Sequence, residues 1–447
     1  MSSPHVIVIG AGTGGMCLAH GLRRAGIPVS VYERDRTRAD GVYGYRVGID
    51  PTGNHALREC LPRELFDTYT ATCARPPAHL NVLTERRKTI ASFPLPDNHD
   101  PVDSERSVSR MTLRQVLLTG MEDVVHFGKA FTHYERNDDG TVTAFFADGT
   151  SATGDLLVAA DGTGSRVRRQ YLPHAEIKDT GVIAVSAKVE VTPRTRALLP
   201  DEVFNGISLT FAPKGRFCIW HVMEFKWDRD GTVKHGIGGN DAELIGRWPG
   251  LLYDNTRDYI NWGFSASADK FPPDVMDLRG EELKQVVLDM TPTWHPDMRE
   301  LFKAADPGSC VPIAIRTSVP IAPWKSTNVT LLGDAIHTMT PGHGVGANTA
   351  LRDAMLLCRR LVDVRDGARP LLDAVAAYEA EMIPYGFARV ADSLAQNGTN
   401  GADPLHRPFV GRAVLAANRT FFRATNRIPA LRRKFLADLT AYRAADA

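Results

Sequence analysis

Val6-Ile7-Val8-Ile9-Gly10-Ala11-Gly12-Thr13-Gly14-Gly15, with Glu33 eighteen positions beyond Gly15, decides the fold. Four apolar residues that stop at a glycine read as a buried strand, and Met16 to Ala25 has helical spacing until Gly26 stops it. Val29 to Tyr32 reads as a second strand, so the segment is a strand–helix–strand unit that opens a parallel sheet. Gly10, Gly12 and Gly15 match G-x-G-x-x-G, where glycines permit a tight turn and let backbone N–H groups at a helix N-terminus approach a pyrophosphate. Glu33, at the end of the second strand, can accept hydrogen bonds from the hydroxyls of an adenosine ribose. The turn and the acid together indicate a bound dinucleotide.

The whole chain narrows the partners. At 447 residues and 43% hydrophobic content it suits two or three lobes of a globular enzyme. Lys and Arg number 53 against 52 Asp and Glu, and a formal charge of +1 offers nothing to attract nucleic acid or a charged membrane, so a small-molecule substrate is expected. No apolar run approaches the roughly 18 to 20 residues of a spanning helix, and no basic leader precedes the first strand, which predicts a cytoplasmic location. The six cysteines (Cys17, Cys60, Cys73, Cys218, Cys310, Cys358) include no C-x-x-C pair and are read as reduced and packed.

Beyond the first unit, residues 105–118 read as helical, and Val124 to Phe127, Val142 to Phe146 and Leu156 to Ala160 as strands. Longer aromatic-rich strands follow at Val182 to Val191, Ile207 to Phe211, Phe217 to Trp227 and Tyr259 to Ala268, predicting a separate antiparallel sheet. Helical spacing covers 281–290, 296–305 and 345–362, with a strand at Val329 to Leu332, and the tail is helical over 371–396 and 409–441.

Two further segments carry chemistry. In Leu331-Leu332-Gly333-Asp334-Ala335-Ile336-His337 a strand ends on an acid able to hold a ribityl hydroxyl. Pro341-Gly342-His343-Gly344-Val345-Gly346-Ala347-Asn348 then opens a helix whose N-terminus, worth roughly half a positive charge, suits the negative edge of a reduced flavin. In Asp155-Leu156-Leu157-Val158-Ala159-Ala160-Asp161-Gly162-Thr163-Gly164-Ser165-Arg166-Val167-Arg168 a strand delivers an Asp-Gly corner and a basic helix start.

With these three motifs in order, residues 5 to 360 resemble the class A flavoprotein monooxygenases, the family of para-hydroxybenzoate, salicylate and ubiquinone-pathway hydroxylases. The resemblance implies an α/β fold: a Rossmann-like FAD-binding domain from residues 1–180 and 311–365, an antiparallel-sheet substrate domain over 181–310, and C-terminal helices over 366–447. Carried over residue by residue, Gly10, Gly12 and Gly15 would form the FAD turn and Glu33 would bind the adenosine ribose, with Arg34 beside it. Arg110 would contact the phosphates or ribityl chain, Arg46 would be a further FAD contact, and Asp161 would help hold Arg110 and the pyrophosphate region. Asp334 would bind the ribityl chain, and Pro341, Gly344, Gly346, Ala347 and Asn348 would lie against the flavin ring. Family members often carry Gln where this chain has Val345, which removes a side-chain contact and leaves the backbone donors. Arg166 would serve NADH or NADPH, which would visit transiently, since no second G-x-G-x-x-G after a strand marks a permanent site.

The implied activity is hydroxylation or epoxidation of a small aromatic or polycyclic, unsaturated molecule with O2, through a flavin C4a-hydroperoxide. An FAD-dependent reductase or dehydrogenase, and a non-catalytic flavin-binding protein, remain alternatives. No catalytic acid or base stands out, and His337 and His343, six apart with no third ligand, are read as loop histidines and not a metal site. In the resembled family one face of the middle sheet roofs the substrate pocket. Trp220 and Val222 share one face, and Ile219, His221 and Met223 the other, with Trp262 and Phe264 on the later strand. Trp220, Val222, Trp262 and Phe264 are the candidate lining residues, with core packing as the competing role. Arg412, Arg419, Arg423, Arg427, Arg432 and Arg433 are expected on a solvated helix face.

Overall fold

The computed structural model describes residues 3–38, 40, 46–95, 100, 102–225, 257–396, 405 and 409–444. The apolar run at the start forms β1 (Val6–Ile9), every residue of it buried, because helices cover both faces of a parallel sheet. It lies at the centre of five parallel strands, between β2 (Val29–Tyr32) and β11 (Leu156–Ala159), with β7 (Val125–His126) and β17 (Val329–Leu331) at the edges. A three-stranded meander, β8 (Phe131–Arg136), β9 (Val142–Phe146) and β10 (Ser151–Gly154), leads back into this sheet. A two-stranded ribbon, β3 (Arg46–Ile49) with β6 (Arg106–Ser109), leaves it towards the second lobe.

That lobe is a seven-stranded sheet in the order β16 (Val311–Ser318), β12 (Ile177–Glu190), β15 (Tyr259–Ser267), β14 (Arg216–Met223), β13 (Gly206–Ala212), β4 (His79–Leu83) and β5 (Thr89–Pro94). It differs from the sequence reading in two respects. β4 and β5, expected within the first segment, extend this sheet, and β4 joins β13 in parallel while the other pairings are antiparallel. β16 belongs to it too, although the boundary was expected at 310. The hairpin gains cover there: Val82, Ile90, Ala91 and Phe93 pack with Phe422, Phe435 and Leu436 of the C-terminal helices. The strand expected to run on to Trp227 ends at Met223, and residues from 226 lie outside the described set.

The expected helix over 105–118 begins only at Arg110, where Ser109 accepts a hydrogen bond from the Thr112 N–H and residues 106–109 pair as β6. The tail expected as one helix divides at Pro429 into Val410–Arg427 and Pro429–Ala444, because proline cannot donate the next helical hydrogen bond. Arg419 leaves the expected solvated face: it pairs with Glu85 and donates to the Phe211 carbonyl, pinning the helix to the sheet. All six cysteines are buried. No helix among the described residues is long and apolar enough to cross a membrane.

Candidate active site

The glycine turn is built for a close approach. Gly10 has φ +105°, and a Cβ there would lie 2.5 Å from the Ala160 carbonyl oxygen. A Cβ on Gly15 would lie 2.3 Å from the Gly10 carbonyl oxygen, so this glycine closes the turn against the helix. Gly12 is different: its φ is an ordinary −79°, and a Cβ would meet nothing nearer than the Ala160 oxygen at 3.9 Å. Its missing side chain serves space outside the protein, in front of the helix Thr13–Arg24, which no side chain caps. Uncapped N–H groups beside an open approach fit a pyrophosphate. Glu33 is buried at the end of β2, where its two oxygens accept from the Ala11 N–H (2.8 Å) and the Asp35 N–H (3.0 Å). This fixes the carboxylate beside the turn and leaves lone pairs for ribose hydroxyls. Arg34, next to it, is exposed.

Asp161 accepts from the Arg166 N–H at 2.9 Å through one oxygen, while its other oxygen is buried with no hydrogen-bond partner among the described residues. Burial pushes its carboxyl above the ordinary range. An orphaned acceptor of this kind fits a ligand donor. The expected grip of Asp161 on Arg110 is not formed. Arg110 instead lies within electrostatic reach of Asp334, and neither side chain makes a hydrogen bond among the described residues. Asp334 is reachable by solvent, yet protein surrounds it so closely that burial raises its carboxyl, against the lowering effect of His337 and Arg110. Arg166 donates its guanidinium to the Phe131 carbonyl and so turns towards β8.

Gly333, with φ +59°, places Asp334 at the turn, and the Gly333 N–H donates to Asp353 at 2.7 Å. His337 is no loop histidine: it is 1% exposed, ends the short helix Asp334–His337 and meets Asp353 at 2.6 Å. Burial disfavours its charged form, but the Asp353 carboxylate outweighs that and holds the imidazole above its usual range. Tyr385 also donates to Asp353. Arg168, equally buried, donates to the Ala335 and Thr163 carbonyls at 2.8 and 2.9 Å, tying the Asp161 loop to the Asp334 turn. The sequence reading missed Asp353 and the structural use of Arg168. The only signal in the sequence is that a buried histidine beside an acid-bearing turn needs a counter-charge.

The helix Gly346–Arg365 begins uncapped after Gly344 at φ +68° and a buried Val345, so the N–H groups of Gly346 and Ala347 have no side-chain acceptor, and Pro341 and Gly344 lie exposed beside them. Asn348 serves another purpose. Its amide accepts from the Asp50 N–H (3.1 Å) and donates to the Gly48 and Gly344 carbonyls (3.0 and 3.3 Å), stitching this helix to the end of β3. Arg46, at the other end of β3, is likewise engaged, with Glu105 at 3.0 Å and Ser107 at 3.1 Å.

The candidate lining residues of the sheet need correction. Trp220, Trp262 and Phe264 are fully buried on the face covered by the helices Gly280–Met290 and Pro296–Lys303, with Trp220 and Trp262 rings 5.5 and 4.9 Å from Phe302 and Phe264 6.0 Å from Trp294. Val222 packs at the edge of the same cluster. Their large apolar area is what brings the two helices down on that side. The opposite face carries Phe217, Ile219 and His221 beside Ser265, Gly263 and Asn261, and Asn261 accepts from the Arg46 N–H at 3.4 Å. Arg46 in turn pairs with Ser109, next to Arg110.

A parallel sheet with a glycine turn, a buried acid at the end of β2 and a second acid at the turn after β17 is the arrangement of an FAD-binding α/β oxidoreductase. A family model described as an FAD binding domain matches residues 289–391. A crystal structure described as an FAD-containing monooxygenase from Photorhabdus luminescens is 34% identical, covers 88% of this chain and 98% of its own, and superimposes with a TM-score of 0.74. The fold is shared with Klebsiella pneumoniae HpxO complexed with FAD and uric acid, at 23% identity, 97% and 96% coverage and a TM-score of 0.73. A dual O-methyltransferase/FAD-dependent monooxygenase of Cercospora beticola is 31% identical over 84% of this chain and 44% of its own length, so the chain spans less than half of that relative. The chain belongs to the FAD-dependent monooxygenases, and FAD is its cofactor.

Proposed function

We propose that the protein hydroxylates or epoxidises a small aromatic or polycyclic, unsaturated molecule, using O2 and NADH or NADPH. The observation that carries this reading is the Asp334 and Arg110 pair at the turn after β17, neither of whose side chains makes a hydrogen bond among the described residues. FAD bound there supplies hydride acceptance and oxygen activation, and the chain supplies placement and a dry pocket.

Glu33 would hold the adenosine ribose, the N–H groups beside Gly10, Gly12 and Gly15 would hold the pyrophosphate with Arg34, Arg110 and the orphaned Asp161 oxygen near it, and Asp334 would hold the ribityl chain. The N–H groups of Gly346 and Ala347, with Pro341 and Gly344, would face the flavin ring, while Asn348 and Arg46 would act from behind by fixing β3. Residues 1–180 and 311–365, less β4, β5 and β16, would form the FAD domain, and the seven-stranded sheet the substrate domain. HpxO, solved with uric acid, shares the fold and shows a flat ring taken by such a scaffold. With no second dinucleotide fingerprint, NAD(P)H would reach the flavin transiently. Anaerobic stopped-flow mixing tests this: reduction of the FAD-loaded protein by NAD(P)H is slow alone and at least about tenfold faster with the true substrate, a barrier change of about 1.4 kcal/mol. Fast reduction that no compound accelerates would instead mark a flavin reductase.

A further inference from the structure

On the face of the seven-stranded sheet away from the helices Gly280–Met290 and Pro296–Lys303, His221 makes no side-chain hydrogen bond among the described residues. His221 pairs in register with Asn261 and stands on the same face as Ile219. Its Nδ1 is buried with no hydrogen-bond partner, and the imidazole makes no hydrogen bond among the described residues. The ring is nevertheless partly reachable by solvent, and since Nδ1 is sealed, the open polar edge is Nε2. Burial, reinforced by the Arg46 cation, pushes the imidazole well below the ordinary histidine range, so it stands uncharged at neutral pH.

The floor beside it is shaped for something flat. Gly263, opposite Ile219, has no positive φ to require glycine, and a Cβ there would meet only Ile219 Cγ2, at 3.1 Å. A side chain at this position would crowd Ile219, so the glycine keeps this part of the face low. Phe217, Ile219 and Ser265 around it are all partly exposed, whereas their alternates Cys218, Trp220 and Phe264 are sealed in the core. The two cations beside this face are already engaged within the protein. Arg46 is paired with Glu105, and the Lys188 ammonium lies 4.8 Å from the Tyr259 ring centre and 3.5 Å from Met111 Sδ. A buried carboxylate here would have to draw Arg46 or Lys188 away from the partners they already hold.

We propose that His221 is the specificity-determining residue of the substrate pocket, and that its Nε2 hydrogen-bonds a hydroxyl of an uncharged, flat ring lying over Gly263, selecting such molecules over aryl carboxylates. A hydroxyl both donates and accepts, so it satisfies either tautomer of the imidazole. The inference rests on the monooxygenase reading of the site, because it takes this face of the sheet as the substrate side.

The test is calorimetric titration of the FAD-loaded protein with 2-naphthol, naphthalene and 2-naphthoate. The wild type binds naphthol at least about tenfold more tightly than either of the others. His221→Phe loses that preference while retaining naphthalene binding and FAD, His221→Gln restores part of it by returning a polar edge, and Gly263→Val weakens all three by filling the floor. A His221→Phe protein that keeps the preference, a wild type that binds naphthalene or naphthoate as tightly as naphthol, or one that holds FAD and binds none of the three overturns the proposal. Failure of the wild type to retain FAD, read from its absorbance after desalting, overturns the underlying site reading instead.

Discussion

Gly12→Val separates a glycine kept for the fold from one kept for the ligand. The backbone at Gly12 is in the extended region with φ −79°, and the nearest atom to an added Cβ is the Ala160 oxygen at 3.9 Å, so the apoprotein accommodates the side chain. Its stability should fall by less than about 1 kcal/mol, the scale of replacing a helix N-cap glycine. The added methyl groups occupy the approach to the uncapped N-terminus of Thr13–Arg24 and hold a pyrophosphate away from it. Losing one charge-assisted hydrogen bond costs about 1.5 to 3 kcal/mol, equivalent to roughly ten- to a hundredfold in FAD affinity. Gly15→Ala behaves in the opposite sense: its Cβ would sit 2.3 Å from the Gly10 carbonyl oxygen and 2.9 Å from the Ala160 Cβ, so the fold itself should lose about 2 kcal/mol or more. Thermal melts of the apoproteins and fluorescence titration with FAD separate the two effects. A Gly12→Val protein that binds FAD as the wild type does would refute the placement of the pyrophosphate.

Asp334→Ala should weaken FAD retention about tenfold or more, since it removes a direct ribityl partner, and should exceed the effect of Asp161→Ala, whose carboxylate already serves the Arg166 N–H. Dialysis followed by flavin absorbance ranks the two, and equal retention by wild type and Asp334→Ala removes Asp334 from the site. Asp353→Asn should destabilise the protein by about 3 kcal/mol, because it breaks a buried pair and loosens the Gly333 turn. The same pair sets a pH dependence. His337 is raised above its unfolded value of 6.5, so its contribution to stability is present below that pH and fades as pH rises through the folded value. Melting temperature should therefore decline as pH rises above about 6.5 in the wild type, and the decline should be smaller in Asp353→Asn.

The parts of the site legible in the sequence are those whose geometry is local. Gly10 to Gly15 and Glu33 are one strand, one turn and one strand apart, and the parallel sheet follows from them. Asp334 could be read because it follows a strand and precedes a glycine-rich turn, and the structure sets it at the start of the short helix Asp334–His337, within electrostatic reach of Arg110. What could not be read depends on distant cover. Alternation divides Trp220 and His221 between two faces, but which face is buried is decided by Trp294 and Phe302, more than seventy residues later. The placement of small and polar residues (Asn261, Gly263, Ser265) against large aromatics (Trp262, Phe264) was the available hint. His337 looked like a loop residue because its burial comes from Asp353 and from the helix Leu371–Gln396, whose Gly386 leaves room for the ring. The β4–β5 hairpin, read with the first lobe, is claimed by the second because its apolar side finds cover under the C-terminal helices.

The claim that this is a monooxygenase is tested most directly by turnover under 18O-labelled dioxygen. FAD-loaded protein is given NAD(P)H and those hydroxyaryl and polycyclic compounds that accelerate flavin reduction, and the products are analysed by mass spectrometry. The account predicts a product that has gained one 18O atom, with its formation coupled to NAD(P)H consumption. Oxidation of NAD(P)H to yield only hydrogen peroxide, with no compound acquiring the label, would contradict it and assign the protein to the flavin reductases or oxidases.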